Sequence, residues 1–144
     1  MSEHISSEDL GLDATTDAGL FGWFLASLLF GRPIQQEVAA QTWRLLIEDG
    51  FTTPEAIVSA GVGKLDRELW EGKYRRLVGV MAAELPDVMA TVVGSYGSVG
   101  NLVRTSANAA ELDRRLQSFK GVGPKTAEIF LRDVPNSVIG SSID

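Results

Sequence analysis

The sequence contains no cysteine, a single histidine and no hydrophobic run long enough to cross a bilayer. Without cysteine the chain can form no disulfide, no thiolate metal site and no cysteine-held iron–sulfur cluster. Its longest apolar run, LFGWFLASLLFG, is about a dozen residues, whereas a membrane-spanning helix needs roughly 20. The one histidine, His4, lies in an acidic segment and is no credible metal ligand or base. We therefore expect no metal, no cofactor and no membrane partner.

Basic residues are missing from the first 20 positions, which carry five acids. This segment lacks the basic-then-apolar layout of a secretory signal peptide, so we expect a cytoplasmic protein. We predict an acidic flexible segment over residues 1–15, a helical domain over 16–134 and a short tail over 135–144.

The net charge of −6 argues against a nucleic-acid partner until its distribution is considered. The first 20 residues supply −5 of it, while residues 112–132 carry a local charge of +3 and residues 64–76 one of +2. Solvated helix faces would produce the same clusters. The pattern is compatible with nucleic-acid binding but does not require it.

Strand-like alternation is scarce, and the apolar periodicity predicts an all-α multi-helix orthogonal bundle. Thr16 or Asp17 can cap a first helix that runs to Phe30, and Pro33 suits the first position of a second helix ending at Gly50. The tryptophans at 23, 43 and 70 lie on apolar helix faces, which predicts three core residues. Five further helices are expected over about 54–60, 64–70, 73–85, 108–119 and 124–133.

The stretch FKGVGPKTA, at 119–127, predicts a tight turn between two of these helices. Gly121 and Gly123 supply backbone conformations that other residues adopt at a cost, while Val122 can point inward. Pro124 begins the last helix, whose first amides are unpaired and form a ready site for a phosphate. Around them, Lys120 and Lys125 add positive charge and Thr126 adds a hydroxyl. The alternative is an ordinary helix–helix connection without a ligand.

The sequence LQSFKGVGPKTAEIFLRDV resembles the helix-hairpin-helix motif of the DNA glycosylase superfamily that includes endonuclease III. Upstream, FLASLLFGRPIQQEVAAQTWRLLIEDGFTTPEAIVSAG resembles the opening helices of the same family. The resemblance covers roughly residues 18–134. It implies a helical domain that grips double-stranded DNA, damaged or abasic, with the hairpin, but without the family's later helices and iron–sulfur cluster.

The resemblance also implies catalytic residues. Lys125 stands where lyase-competent members carry the lysine that attacks the sugar C1′ and forms a Schiff base. The family's aspartate lies about eighteen residues further on, where Asp144, shifted by one position, is the candidate partner. The alternative is that Lys125 only contacts a phosphate.

Two further turns are candidate DNA contacts. Gly31-Arg32-Pro33 resembles the family's DNA-facing turn, which makes Arg32 a candidate to fill the gap left by a flipped base. At a second turn, Lys73, Arg75 and Arg76 are candidate phosphate contacts. Beside them, Tyr74 could stack on a base or lie half-buried in the core. Arg32 could equally be an ordinary exposed arginine.

These observations leave three functions open. The first is a DNA-binding protein resembling the glycosylases and AP lyases of base-excision repair. The second is a non-catalytic helix-hairpin-helix module that binds DNA shape or an abasic site. The third is a module whose hairpin docks a protein partner. Salt dependence separates the third from the others, because phosphate contacts release counterions.

Overall fold

In the computed structural model, residues 5–142 are described, and they form eight α-helices and no strand. The all-α prediction is confirmed. The helices are α1 (Asp17–Phe30), α2 (Gln36–Glu48), α3 (Pro54–Ala60), α4 (Val62–Glu71), α5 (Val78–Tyr96), α6 (Val99–Arg104), α7 (Ala109–Gln117) and α8 (Pro124–Arg132).

Helix α1 lies at the centre of the bundle because it is apolar on nearly every side. Leu20, Trp23, Phe24 and Leu29 are fully buried, and the helix contacts α2, α6 and α8. The ring of Phe24 packs edge-on against Phe130 of α8, with 5.6 Å between centroids. This packing holds α8, the second helix of the hairpin, directly against the core.

Three of the predicted helix starts are confirmed in atomic detail. Thr16 accepts a hydrogen bond from the Gly19 amide, and Thr53 accepts one from Ala56. Asn108 accepts from the Glu111 amide at 2.9 Å. Each bond satisfies one of the amides that a helix leaves unpaired at its N-terminus.

The start of α2 was predicted wrongly. Pro33 does not open the helix, because the turn continues with the Ile34 amide donating to the Arg32 carbonyl at 2.7 Å. The helix begins at Gln36, without a side-chain cap. The longer turn brings Arg32 to the position described below.

The helix predicted over 73–85 is also wrong. Gly72 fits closely against Thr42 of α2, and Lys73 adopts a left-handed φ of 70°. Tyr74 then enters the core, where its hydroxyl donates to the Leu29 carbonyl at 2.8 Å. Because of these tertiary contacts, α5 begins only at Val78, and it continues through Pro86 to Tyr96.

The expectation that no stretch is long enough to cross a bilayer is wrong by length and composition, because helix α5 has 19 residues and a mean hydropathy of 1.3. Core helices of globular proteins pass the same test. Its buried residues, Met81, Leu85, Met89 and Val92 among them, lie in the common core, and the helix contacts α3, α4 and α6.

The segments flanking the helices also pack against the bundle. The Ser7 amide donates to the Asp133 carboxylate at 2.8 Å, joining residues 126 positions apart. On the C-terminal side, Val138 is buried, and the Ser142 amide donates to the Arg104 carbonyl at 3.0 Å. His4 and Asp144 lie outside the described residues.

Candidate nucleic-acid interface

The hairpin consists of α7, a turn over residues 118–123, and α8. In the turn, the Val122 amide donates to the Phe119 carbonyl at 3.0 Å. Phe119 and Val122 are buried, so both side chains anchor the turn in the core. Gly121 between them has φ +90°, a conformation that L-residues with a Cβ rarely adopt.

The two glycines of the turn differ. Gly123 has φ −101° and ψ −174°, which is extended backbone open to any residue, and a Cβ added there would meet nothing within 4 Å. The prediction that both positions need glycine is therefore wrong for Gly123. What its missing side chain does provide is open space at the N-terminus of α8.

The N-terminus of α8 has the features of an anion site. Among the described residues, no side chain caps it, and the Ala127 amide is the one that donates to the Gly123 carbonyl, at 3.1 Å. The amides of Lys125 and Thr126 come before this first intrahelical hydrogen bond, so they have no partner within the helix, and Pro124 has no N–H. Lys120 and Lys125 are both exposed beside the turn. The dipole of α8 and the two ammonium groups together favour an anion here.

Thr126 lies on the inner side of the same helix. It is 6% exposed, and a Cβ added to Gly31 would come within 2.0 Å of its hydroxyl oxygen. Thr126 therefore packs into the contact between the C-terminus of α1 and the start of α8. This close approach positions α8 against α1.

Arg32 is neither free nor fully exposed. Its Nη2 forms an ion pair with the Glu84 carboxylate of α5 and donates to the Gly121 carbonyl at 3.3 Å. The Glu84 carboxylate carbon would lie 2.7 Å from a Cβ on Gly121. Arg32 and Glu84 thus join the α1–α2 turn, α5 and the hairpin turn in one cluster.

Glu84 was not identified from the sequence. It is 37 positions from Gly121 and 52 from Arg32, on the polar side of a helix whose start was predicted five residues early. No local pattern distinguishes it from the other surface acids. Only the packing of α5 reveals its role.

Lys125 lines a cavity of about 500 Å³ between the end of α1, the start of α2 and the outer face of α8. Besides Lys125, its walls are formed by Phe30, Gln36, Pro124, Glu128, Ile129 and Arg132. The cavity combines an apolar floor with charged groups of both signs. It offers room for a sugar or a base next to the lysine ammonium.

The second basic turn, between α4 and α5, also lies at the surface. Lys73, Arg75 and Arg76 are exposed, whereas Tyr74 is fully buried. The Arg75 guanidinium lies over the ring of Trp70, 4.6 Å from the ring centre. Trp70 is 50% exposed, so its prediction as a core residue is wrong, while those for Trp23 and Trp43 are confirmed.

Burial raises the pKa of the Tyr74 hydroxyl far above its ordinary value. The charge of Arg32 opposes this rise and that of Glu84 adds to it, so Tyr74 lies within electrostatic reach of the Arg32–Glu84 pair. Within residues 5–142, no cluster of three His, Asp or Glu side chains could hold a metal ion.

Similarity to solved structures identifies the fold. No protein-family model matches the sequence, and no curated protein is significantly similar to it. Among solved structures, a non-covalent endonuclease III–DNA complex aligns with a TM-score of 0.62 and 15% identity, over 87% of this chain and 55% of that one. A trapped covalent endonuclease III–DNA intermediate aligns with a TM-score of 0.57 and 17% identity, over 81% of this chain and 46% of that one.

A third solved structure is the 3-methyladenine DNA glycosylase MagIII of H. pylori bound to 1,N6-ethenoadenine. It aligns with a TM-score of 0.63 and 18% identity, over 89% of this chain and 60% of the glycosylase. The present chain thus spans about half the length of the structures it matches. It has the helical fold of the helix-hairpin-helix DNA glycosylases, over roughly half of their length.

Proposed function

We propose that this protein binds double-stranded DNA through the α7–α8 hairpin, with a backbone phosphate at the N-terminus of α8. The observation that carries the proposal is the uncapped start of α8, set behind the Gly121 turn and flanked by two exposed lysines. Two of the solved structures that share the fold are complexes with DNA, which supports the same partner.

Glu84, the acid next to the hairpin turn, does not oppose this function. Glu84 lies beside Gly121, but its charge is matched by Arg32, and the pair is about three-quarters buried. The turn therefore presents the charges of Lys120 and Lys125 to a phosphate. In this proposal Arg32 orders the turn through the Gly121 carbonyl, and it can fill a gap in a base stack only after leaving Glu84.

The duplex affinity of the variant Gly123→Ala tests this proposal most directly. The added methyl fits the backbone and meets no protein atom, yet it occupies the open space at the first amides of α8. We expect the variant to fold normally and to lose duplex affinity by about tenfold, as for one charge-assisted contact. Gly63→Ala is the matched control, because a Cβ there also meets nothing within 4 Å. Equal duplex affinity for both variants and the unmodified protein would refute the phosphate site.

We further propose that Lys125 reacts with an abasic site in the bound duplex. The neutral amine attacks the C1′ aldehyde carbon of the ring-opened sugar through its lone pair. The carbonyl oxygen then leaves as water together with both amine protons, which gives a neutral imine. This imine takes up one proton from solvent. The cavity beside Lys125 supplies the space for this sugar.

Borohydride trapping tests the reaction, because hydride converts the imine to a stable secondary amine. A covalent protein–DNA species that disappears in Lys125→Ala and persists in Lys120→Ala would identify the nucleophile. Both lysines are exposed beside the same turn, so the second variant controls for lost charge. Salt-sensitive binding without a trapped species would instead favour the non-catalytic DNA-binding module.

The proposed carboxylate partner is tested in the same assay. We expect Asp144→Asn to slow the formation of the trapped species without changing duplex affinity. Equal rates for the variant and the unmodified protein would remove Asp144 from the reaction and leave the role of Lys125 untouched.

A further inference from the structure

Trp70 is an exposed tryptophan in a chain that buries its other two. Trp23 and Trp43 are 0% and 5% exposed, and their indole N–H groups donate to the carbonyls of Phe130 and Gly22. Trp70 is 50% exposed. Leaving a large aromatic surface in water forgoes the stabilisation that burial would provide, and tryptophan is enriched at contact interfaces, so Trp70 is a candidate contact residue.

The position of Trp70 follows from the geometry of α4. Leu65, Glu68 and Leu69 form the face that packs into the bundle. Successive residues of a helix are rotated by about 100°, so Trp70 points away from that face. Its exposure therefore follows from its position on the helix and not from fraying of the helix end.

Arg75 converts the exposed indole into a charged platform. Its guanidinium lies 4.6 Å from the ring centre, in the geometry of a cation–π contact. Arg67 lies beside the ring together with two exposed acids, Asp66 and Glu71, and Lys73 and Arg76 are exposed in the adjoining turn, so that four exposed basic side chains face two exposed acids over residues 66–76. The platform thus has a positive balance in a protein whose net charge is −6.

A short series of contacts through the protein links the α4–α5 turn, which carries Arg75, to the hairpin turn. Tyr74, in the turn that carries Arg75, donates to the Leu29 carbonyl at the end of α1. Arg32, in the turn that follows α1, contacts the Gly121 carbonyl of the hairpin.

We propose that Trp70 and Arg75 form a second nucleic-acid site, which binds a single-stranded segment of DNA by stacking one unpaired base against the platform formed by the indole and the guanidinium. Every base has an aromatic face, and the basic side chains Arg67, Lys73 and Arg76 complement the phosphates on either side of it. A fully paired duplex buries its base faces and cannot use the ring in this way. The site is therefore distinct from the proposed hairpin site in both residues and substrate.

Intrinsic fluorescence reports on this site selectively, because Trp70 is the one exposed tryptophan of the three. We expect oligothymidylate of about eight nucleotides, the site size of small single-strand binders, to quench the emission with saturation. In fluorescence anisotropy with labelled oligothymidylate, we expect Trp70→Leu to lower affinity by about tenfold and Trp70→Phe to retain most of it. Val80→Ala, which alters another exposed apolar residue, is the matched control.

Two comparisons separate this proposal from the hairpin proposal. Gly123→Ala should leave binding of oligothymidylate unchanged, and Trp70→Leu should leave affinity for a fully paired duplex unchanged. The single-strand site is refuted if oligothymidylate causes no quenching, or if Trp70→Leu binds it as tightly as the unmodified protein. It is also refuted if Trp70→Leu converts a dimer to a monomer, since a second copy of the chain would then cover the ring.

Discussion

At the scale of single residues, the hairpin turn depends on one backbone conformation and one ion pair. Gly121 has φ +90°, and the Glu84 carboxylate occupies the space that a side chain there would need. Arg32 holds that carboxylate and bonds the Gly121 carbonyl. Gly123 has neither restriction. Two glycines separated by one residue thus have different physical roles.

We predict that Gly121→Ala lowers the free energy of unfolding by about 1–3 kcal/mol, because alanine is strained at positive φ and its methyl meets Glu84. Gly123→Ala should change it little or raise it by up to about 1 kcal/mol, since it restricts the unfolded chain at a compatible position. Urea unfolding of both variants measures the difference. Equal stability of the two single variants would contradict the assignment.

At the scale of helices, the contact between α2 and α4 contains a buried acid. Glu68 is 6% exposed, and its pKa is raised to about 7. Burial is the largest cause, followed by the hydrogen bond with Asp49 and the negative charges of Asp49 and Glu71, while Lys64 opposes them. The protonated acid can donate to Asp49, which ends α2.

This arrangement makes stability depend on pH. Because the folded pKa lies above the ordinary value of 4.5, the folded state binds more protons between pH 4.5 and about 7. Stability contributed by Glu68 is therefore fully present below pH 4.5 and lost as pH rises to about 7. We predict that the free energy of unfolding of the unmodified protein falls by about 1–2 kcal/mol across this range relative to that of Glu68→Gln. The amide of glutamine mimics the protonated acid. Urea unfolding at several pH values measures the loss.

Glu55→Gln, at an exposed position of α3, serves as the control in that series and should follow the unmodified protein. Parallel pH profiles for the unmodified protein and Glu68→Gln would show that Glu68 is ionised in the fold throughout.

At the scale of the whole molecule, the distribution of charge outweighs its sum. The first 20 residues hold most of the net charge of −6, whereas the hairpin region 112–132 is locally +3. Screening limits the reach of each charged region to about 10 Å at ordinary ionic strength. An acidic protein can therefore present a basic surface to DNA.

We predict that duplex affinity falls with salt, and that Lys120→Gln and Lys125→Gln each reduce the slope of log affinity against log salt by about one unit. Arg44→Gln should leave the slope unchanged, because Arg44 lies on α2 beside Glu37, Glu48 and Glu71, and none of these residues belongs to the hairpin. Affinity measured over a series of salt concentrations provides the slopes. A slope near zero for the unmodified protein would favour the protein-partner alternative.

Much of this architecture could be predicted from local sequence signals. The periodicity predicted the all-α class, and the cap residues Thr16, Thr53 and Asn108 predicted three helix starts, because capping depends on side chains within a few residues of the helix end. The hairpin could be predicted for the same reason, since Gly121 and Pro124 act on the backbone where they stand.

The remaining features depend on contacts between distant parts of the chain. Tyr74 bonded to Leu29, and Gly72 packed on Thr42, delay the start of α5. The pairing of Arg32 with Glu84, the burial of Thr126 and the exposure of Trp70 likewise follow from how helices pack. The sequence by itself determined the all-α class, three of the helix starts and the hairpin turn, through local backbone preferences. The tertiary structure alone decided which charges are neutralised and which aromatic ring remains at the surface, because both depend on the packing of residues far apart in the chain.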